Sequence, residues 1–474
     1  MIRMPTLILH AIVGLLPFSA IAELTPTEYA DAHAEQTIQL ASALWEYAEV
    51  GYQERRSASL LQSTLTQAGF EVETGVAGIP TAFIASYGNG QPVIAILAEF
   101  DALPGINQDA VPERRPIPDK DAGQACGHHL FGAGSTGAAL AVRDWLEASG
   151  HSGTIRLYGT PAEEGGSGKV YMVRAGLFED VDIALHWHPS DRNSAAAETT
   201  LANRSAKFRF RGVSAHAAGA PDKARSALDG VEAFNYMTNL MREHIPQESR
   251  LHYVITEGGR APNVVPDFAE VFYYFRHPDA QILQQMWGRL EQAALGAAQG
   301  TGTQVDWEII HGNHPLLVNE TLARMLDSQL RQVGGVDYDA SELAFAEQLY
   351  STLDQPQRRI GDQLKIEPYT VSLGYGSTDV GDVSIAVPTA GIDVATWVPG
   401  TAPHSWQAVA AGGMSIGHKG ALNAARVLAL AAVELMQNSA LIEAAQREHR
   451  QKLGDDFRYV PLLGDRDPPL DYRN

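Results

Sequence analysis

The 474-residue chain has almost no cysteine: Cys126 is the only one, so no internal disulfide can form. That excludes a disulfide-stapled scaffold and any zinc finger built on paired cysteines. Positive charge is scarce too, with 35 Lys and Arg against 56 Asp and Glu. Such a balance argues against nucleic acid and anionic membrane surfaces as partners. Beyond the first 22 residues no apolar run is long enough to span a bilayer. There is no internal repeat and no low-complexity block. The stretch "GGSGKV" lacks the spacing, and the Ser or Thr after Lys, that a phosphate loop requires. No serine nucleophile elbow is expected. The glycine-rich "GAGSTGAA" follows no strand directly, which argues against a dinucleotide site.

What is present begins with an export signal over residues 1–22. Arg3 supplies the charge, an apolar run broken by Pro5 and Pro17 follows, and Ala20-Ile21-Ala22 gives a small-x-small cleavage site. A buried N-terminal helix is the competing reading; charge, apolar length and cleavage site together favour export. Cleavage removes Arg3, taking the basic count from 35 to 34 and the formal charge from −21 to −22. The location expected is the periplasm or the exterior. An unpaired cysteine in an exported protein calls for a specific use of the thiol.

The mature chain is long enough for two or three domains, and 45% hydrophobic residues can fill a large core. "TPTEYADAHAEQTIQLASALWEYAEVGYQE" reads as a helix, as does "SASLLQSTLTQAGFEV" up to Gly69. "PVIAILAEFD" is a near-continuous apolar run that stops at a charge, the pattern of a strand buried on both faces. "TIRLYGTPAEE", "VDIALHWHP" and "AGIDVATWVPGTAPH" repeat it, with helical stretches between. Strands alternating with helices predict an α/β domain with a mostly parallel sheet, over residues 23–202 and 313–474. Between them, residues 203–312 follow a β-α-β-β-α-β order, a ferredoxin-like insert of roughly a hundred residues. Leu228, Val231, Met237 and Met241 are the inward positions expected on its first helix.

Ligands of parallel sheets sit beyond the C-terminal strand ends. Asp101, Glu163, Glu164, His188 and His404 all fall at such ends. Cys126 alone could be a nucleophile, a metal ligand or a small buried side chain. A thiolate beside this set of carboxylates and imidazoles is the donor collection that divalent transition metals accept, which favours the metal ligand. His186 and His188 alternate on one strand, and either could be the donor there.

Seven stretches in order, "EFDALPG", "ACGHHLFG", "GTPAEEGGSGKVYMVRAG", "WHP", "GVSAHAA", "PNVVP" and "GTAPHSWQ", make the chain resemble one metallopeptidase superfamily. It is the one that includes carboxypeptidase G and aminoacylase, and the likeness is to its amidohydrolase branch, most of all to the aminobenzoyl-glutamate hydrolases. The resemblance covers nearly the whole mature chain. It implies a catalytic α/β domain interrupted by a ferredoxin-like dimerisation or lid domain, and a homodimer formed through that lid. It implies two divalent metal ions, zinc or manganese, held by Cys126, His128, Glu164, His188 and His404. Glu163 would be the general base and Asp101 the residue that orients a ligand. His216 matches a lid histidine that reaches the active site of the other protomer; Asn263 and Arg276 match substrate-side lid positions. "WHP" favours His188 over His186. The implied activity is hydrolysis of the amide joining an acyl or aroyl group to an amino acid or short dipeptide, aminobenzoyl-glutamate-like amides included. Two departures bear on the metal site. His129 stands where relatives carry Asp or Asn, so a further imidazole could join or disturb the centre, and Glu99 stands where they often carry His or Asp. Other readings are a metal-stabilised binding protein without turnover and a cysteine hydrolase.

The export reading predicts a mature N-terminus at Glu23. N-terminal sequencing of protein expressed with its first 22 residues checks this, and a chain still starting at Met1 refutes it.

Overall fold

The computed structural model describes residues 24–473; the export signal expected over residues 1–22 lies outside the described residues. The strands of the two larger sheets, in chain order, are β1 (Glu71–Thr74), β2 (Phe83–Asn89), β3 (Val93–Ala98), β4 (Gly153–Gly159), β5 (Ile183–Ser190), β6 (Ser194–Ala195), β7 (Ala202–Arg211), β8 (Arg250–Glu257), β9 (Phe268–His277), β10 (Gln304–Asn313) and β11 (Thr389–Ala395). One seven-stranded sheet has the order β1-β2-β4-β3-β5-β11-β6. Its four central strands are mutually parallel, and the edges are antiparallel. Every residue of β3 is buried, as its unbroken run of Val, Ile, Leu and Ala demands of a strand covered on both faces.

The covering helices include α1 (Pro26–Ala32), α2 (Ala34–Tyr47), α3 (Arg55–Gln67) and α4 (His128–Ser149). The segment expected as one N-terminal helix is two, separated at His33, whose φ of −98° and ψ of 9° leave the helical region. It stops at Ala48, in the left-handed conformation, so "EVGYQE" is a turn and not a helix. The glycines of "GAGSTGAA" have a packing use. Side chains at Gly132, Gly134 and Gly137 would run into the backbone of Glu99, the ring of Trp187 and the hydroxyl of Thr37. They let α4 lie tightly between the sheet and its neighbours.

Residues from Ala202 to Asn313 form a second, antiparallel sheet in the order β8-β9-β7-β10. Helices α6 (Ala227–Met241) and α7 (Ala280–Thr301), named after α5 (Gly168–Arg174), pack on it in the ferredoxin-like order. Phe208, Phe210, Phe234, Tyr273 and Trp287 fill this separate core. On α6 the buried stripe is Val231, Phe234, Thr238 and Met241, a 3- and 4-residue spacing. Met237 falls beside this stripe and is 42% exposed, so its expected inward position is wrong; Leu228 is half-buried against the core. The two cores meet at Ile309 and at the chain's late segment, where Leu462 packs into the lid core and Leu463 into the main one. Among the described residues no single helix is long and apolar enough to cross a membrane.

Candidate metal centre

The site forms at the C-terminal ends of the parallel strands. Beyond β3, Asp101 is fully buried and uses both oxygens: Oδ1 lies 2.9 Å from His128 Nδ1, and Oδ2 accepts the Glu164 amide at 3.0 Å. The first bond leaves His128 Nε2 as the free ring nitrogen. His128 opens α4, and Gly127 before it has φ 79°, a conformation that favours glycine. A side chain there would also lie 2.6 Å from Pro189. This close approach seats "ACGHH" on β5 and brings Cys126 Sγ to 3.6 Å from His188 Nε2.

After β4 the chain turns through Ala162, whose φ of 58° is unusual for a residue with a side chain. Such strain persists only where surroundings over-determine it. Here Glu54 Oε1 accepts the Ala162 amide at 2.9 Å, Tyr52 donates to Gly166 O at 2.6 Å, and Tyr472 donates to Glu164 O at 3.1 Å. These bonds present Glu163 and Glu164 side by side. After β11, His404 (φ 59°) donates its amide to Ala125 O at 2.9 Å, and its Nε2 lies 2.9 Å from Glu164 Oε1.

Three overlapping groups result: Cys126, His128 and His188; Cys126, Glu164 and His404; His128, Glu163 and Glu164. Within each, the donor atoms lie within 4.8 Å of one another. The buried His128 Nε2 and Glu164 Oε1 have no hydrogen-bond partner of good geometry, as befits atoms whose partner is an ion. The donors are a thiol, imidazoles and carboxylates, so the residues fit a two-ion centre with Cys126, His128 and Glu164 at the junctions. Burial pushes the Cys126 thiol well above its ordinary range, against the pull of His128. Burial, with Glu99, Glu164 and Asp379 nearby, likewise holds the Glu163 carboxyl well above the usual carboxylate range.

His129 does not join the centre. One residue further around α4, its Nε2 lies 3.0 Å from Gly412 O at the end of α8 (Trp406–Gly412), and burial lowers its pKa to about 3. The idea that it joins or disturbs the metal site is therefore corrected: it is a neutral core histidine. Glu99 does face the site, with Oε2 3.1 Å from His128 Nε2, and is anchored by the fully buried Lys169 at 2.7 Å. Lys169 also pairs with Asp379 at 2.7 Å. Neither Lys169 nor Asp379 stood out in the sequence; Lys169 was visible only as the end of a failed phosphate loop. His186 lines the cavity but belongs to none of the metal-capable groups; its ring lies against Gly391, where a side chain would come within 2.4 Å.

The cavity over these residues measures about 610 Å³, and Arg276 on β9 lines it. His216 and Asn263 do not. They adjoin each other on an exposed corner of the lid, where Ala217 N donates to Asn263 O at 3.0 Å. A G-x-S-x-G stretch does occur, Gly413–Gly417, but it joins α8 to α9 (Ser415–Gln437), two helices, and Ser415 is not among the cavity residues. It is not the strand-to-helix elbow of a serine hydrolase.

The profile of peptidase family M20/M25/M40 matches residues 95–355. The chain belongs to this family. M20 hydrolases act on carbon–nitrogen bonds, and this chain is one of them. It is 40% identical to a p-aminobenzoyl-glutamate hydrolase component of Escherichia coli (strain K12), over 91% of this chain and 95% of that protein. It is 29% identical to the Xaa-Arg dipeptidase of Mus musculus, over 90% of this chain and 92% of that one. A dinuclear metal binding peptidase of the M20 family from Bacillus subtilis shares the fold, with a TM-score of 0.58 at 17% identity, covering 86% of this chain and 99% of that one. An aminobenzoyl-glutamate utilization protein from Klebsiella pneumoniae does so with a TM-score of 0.60 at 20% identity, covering 86% and 98%.

The pinning of the Glu163 loop by a buried acid has a pH signature. Burial, then the charge of Asp101, raises Glu54 from 4.5 to about 8. A raised carboxyl pKa means that the folded state holds the proton more tightly than the unfolded chain. The stability this proton confers is complete below 4.5 and is lost as pH rises through about 8. Glu54→Gln, neutral throughout, should show a flatter decline in that window. Urea unfolding across it checks this; parallel slopes for the two proteins refute it.

Proposed function

We propose that this M20 hydrolase is an exported, homodimeric, dinuclear metal amidohydrolase that cleaves the amide between an acyl or aroyl group and an amino acid or short dipeptide. The observation that carries the reading is the set of three overlapping donor groups, one of which includes Glu163, in a cavity of about 610 Å³. The 40% identity to a p-aminobenzoyl-glutamate hydrolase component supports the substrate class. Cys126, His128, Glu164, His188 and His404 would hold two ions, zinc or manganese according to geometry and supply. Bound there, they would supply Lewis acidity that polarises the scissile carbonyl and acidifies water.

The chain's own residues do the rest. Asp101 fixes the His128 tautomer through Nδ1. Glu163, side by side with Glu164 and within reach of the same donor set, takes the proton from the attacking water and delivers it to the leaving amine. Arg276 faces the substrate from the lid. His216 lies outside its own cavity, with Nδ1 accepting the Gly219 amide at 3.0 Å, which leaves Nε2 to carry a proton outward. It would stabilise the oxyanion in the site of the other protomer. The edge strand β8 exposes Val254 and Ile255, and α6 exposes Tyr236 and Leu240, an apolar lid face suited to a second copy.

Glu163→Gln should keep its metal by elemental analysis and lose hydrolysis of N-acyl, N-aroyl and dipeptide amides by about 10²–10⁴-fold in kcat. Mixing it with His216→Ala should restore activity through mixed dimers holding one intact site. No restoration sinks the shared site. Full activity after rigorous chelation, abolished by alkylating Cys126, would point to a cysteine hydrolase instead.

A further inference from the structure

Glu164 belongs to two of the three donor groups, whereas Cys126, His128 and His188 form one without it. The direction of its carboxylate therefore bears on one part of the centre only. Its backbone has an unusual support. Glu164 has φ −70° and ψ 68°, outside the helical region, and Gly165 after it has φ 87°. Regular helix bonding does not fix this peptide. Asp101 Oδ2 accepts the Glu164 amide at 3.0 Å. The carbonyl on the other side of the Cα accepts twice, from the Tyr472 hydroxyl at 3.1 Å and from Arg473 Nη2. The carboxylate thus projects from a Cα held on both sides, once by the sheet end and once by Tyr472 and Arg473.

Those two side chains come from the segment 454–473, which contains no helix or strand and crosses from one core to the other. Leu462 is buried in the lid cluster and Leu463 in the main one. A side chain at Gly312, near the end of β10, would lie 2.7 Å from the backbone that joins these leucines. Arg466 donates to Ile309 O and pairs with Glu308 at 3.0 Å, both on β10 of the lid. From α5, Arg174 donates to Gly464 O at 3.0 Å and to Arg466 O at 2.7 Å. Gln53 donates to Leu470 O at 2.8 Å. Tyr472 then packs edge-on against Tyr52, 5.5 Å between ring centres. The contacts run without a break from β10 of the lid to the Glu164 carbonyl.

We propose that Tyr472 and Arg473 are positioning residues of the metal centre, and that the segment 454–473 couples the lid to it. The lid, gripped at Glu308 and Ile309, sets the peptide that aims the Glu164 carboxylate. This rests on the dinuclear reading above. An ion held with Glu164 and His404 depends on the segment; one held by Cys126, His128 and His188 does not. Removing an outer partner that orients a ligand costs about 10–100-fold in metal affinity.

The test titrates Mn²⁺ by calorimetry into metal-free wild type, Tyr472→Phe, Arg473→Gln, Arg473→Lys and Arg466→Gln, all full-length, with urea unfolding to confirm that each is folded. Wild type should bind two ions. In Arg473→Gln and Arg466→Gln one binding step should weaken by about 10–100-fold while the other keeps its wild-type affinity. Arg473→Lys should recover part of the loss. Tyr472→Phe, which keeps the ring and removes only the hydroxyl, should weaken the same step to a lesser degree. Arg466 is not among the cavity residues, so an effect there is carried by the segment. A general loosening of the fold would weaken both steps together. That result, or wild-type affinity at both steps in Arg473→Gln or in Arg466→Gln, overturns the proposal. If wild type takes up only one ion, the dinuclear reading fails. The segment is then judged on that ion, and equal affinity in wild type and variants overturns the positioning role.

Discussion

The site depends first on the carboxylate of Asp101. Its two oxygens tie the start of α4, through His128 Nδ1, to the turn after β4, through the Glu164 amide. Those two elements are far apart in sequence, and each is awkward alone. One begins with a glycine at positive φ packed against Pro189; the other passes through Ala162 and Ser167, both left-handed. Left-handed conformations at side-chain-bearing residues cost of order 1–3 kcal/mol each and persist only when neighbours enforce them. A fully buried acceptor with both oxygens used is such an enforcer, because either donor left unpaired would carry its own desolvation cost.

Burying Asp101 brings a second requirement. Glu54, Glu99, Glu163, Asp101 and Asp379 crowd one end of the sheet, and so many carboxylates cannot all ionise unopposed. Lys169 meets part of this from within the core, pairing with Glu99 and Asp379 together. Part of the rest is met by the proton that Glu54 retains, and the donor set fits cations that would offset more. His129 shows how local the arrangement is. It shares the α4 N-terminus with His128, yet the helical turn carries it to Gly412 O and away from every carboxylate, where burial keeps it neutral.

How much of this was legible follows from the range of the interactions. Asp101, Glu163, Glu164, His188 and His404 could be read because the parallel-strand rule converts a one-dimensional pattern, an apolar run ending in a charge, into a place in space. The lid was legible for a different reason, the β-α-β-β-α-β order of its elements along the chain. Met237 was misread because the core is chosen by Val231, Phe234, Thr238 and Met241 against a sheet whose position no helix pattern reveals. Lys169 and Asp379 carried no periodic signal, since a buried ion pair is known only from its partner. His129 looked like a potential ligand because adjacency in sequence hides the angle between successive helical side chains.

The part of the cavity wall that Arg473 lines was the least legible of all, for a reason that says something about the cavity. Its floor comes from strand ends, fixed by the hydrogen-bond ladder, and one wall comes from β9 of the lid, fixed by a separate core. Two bodies with independent cores do not define a narrow binding wall between them, because interdomain contacts are normally small and mobile. The segment that places Leu462 in one core and Leu463 in the other removes that freedom, and Tyr472 and Arg473 follow directly from where those leucines are anchored. The strand ends carry the donor set, whereas part of the cavity wall comes from a segment that no strand or helix pattern marks.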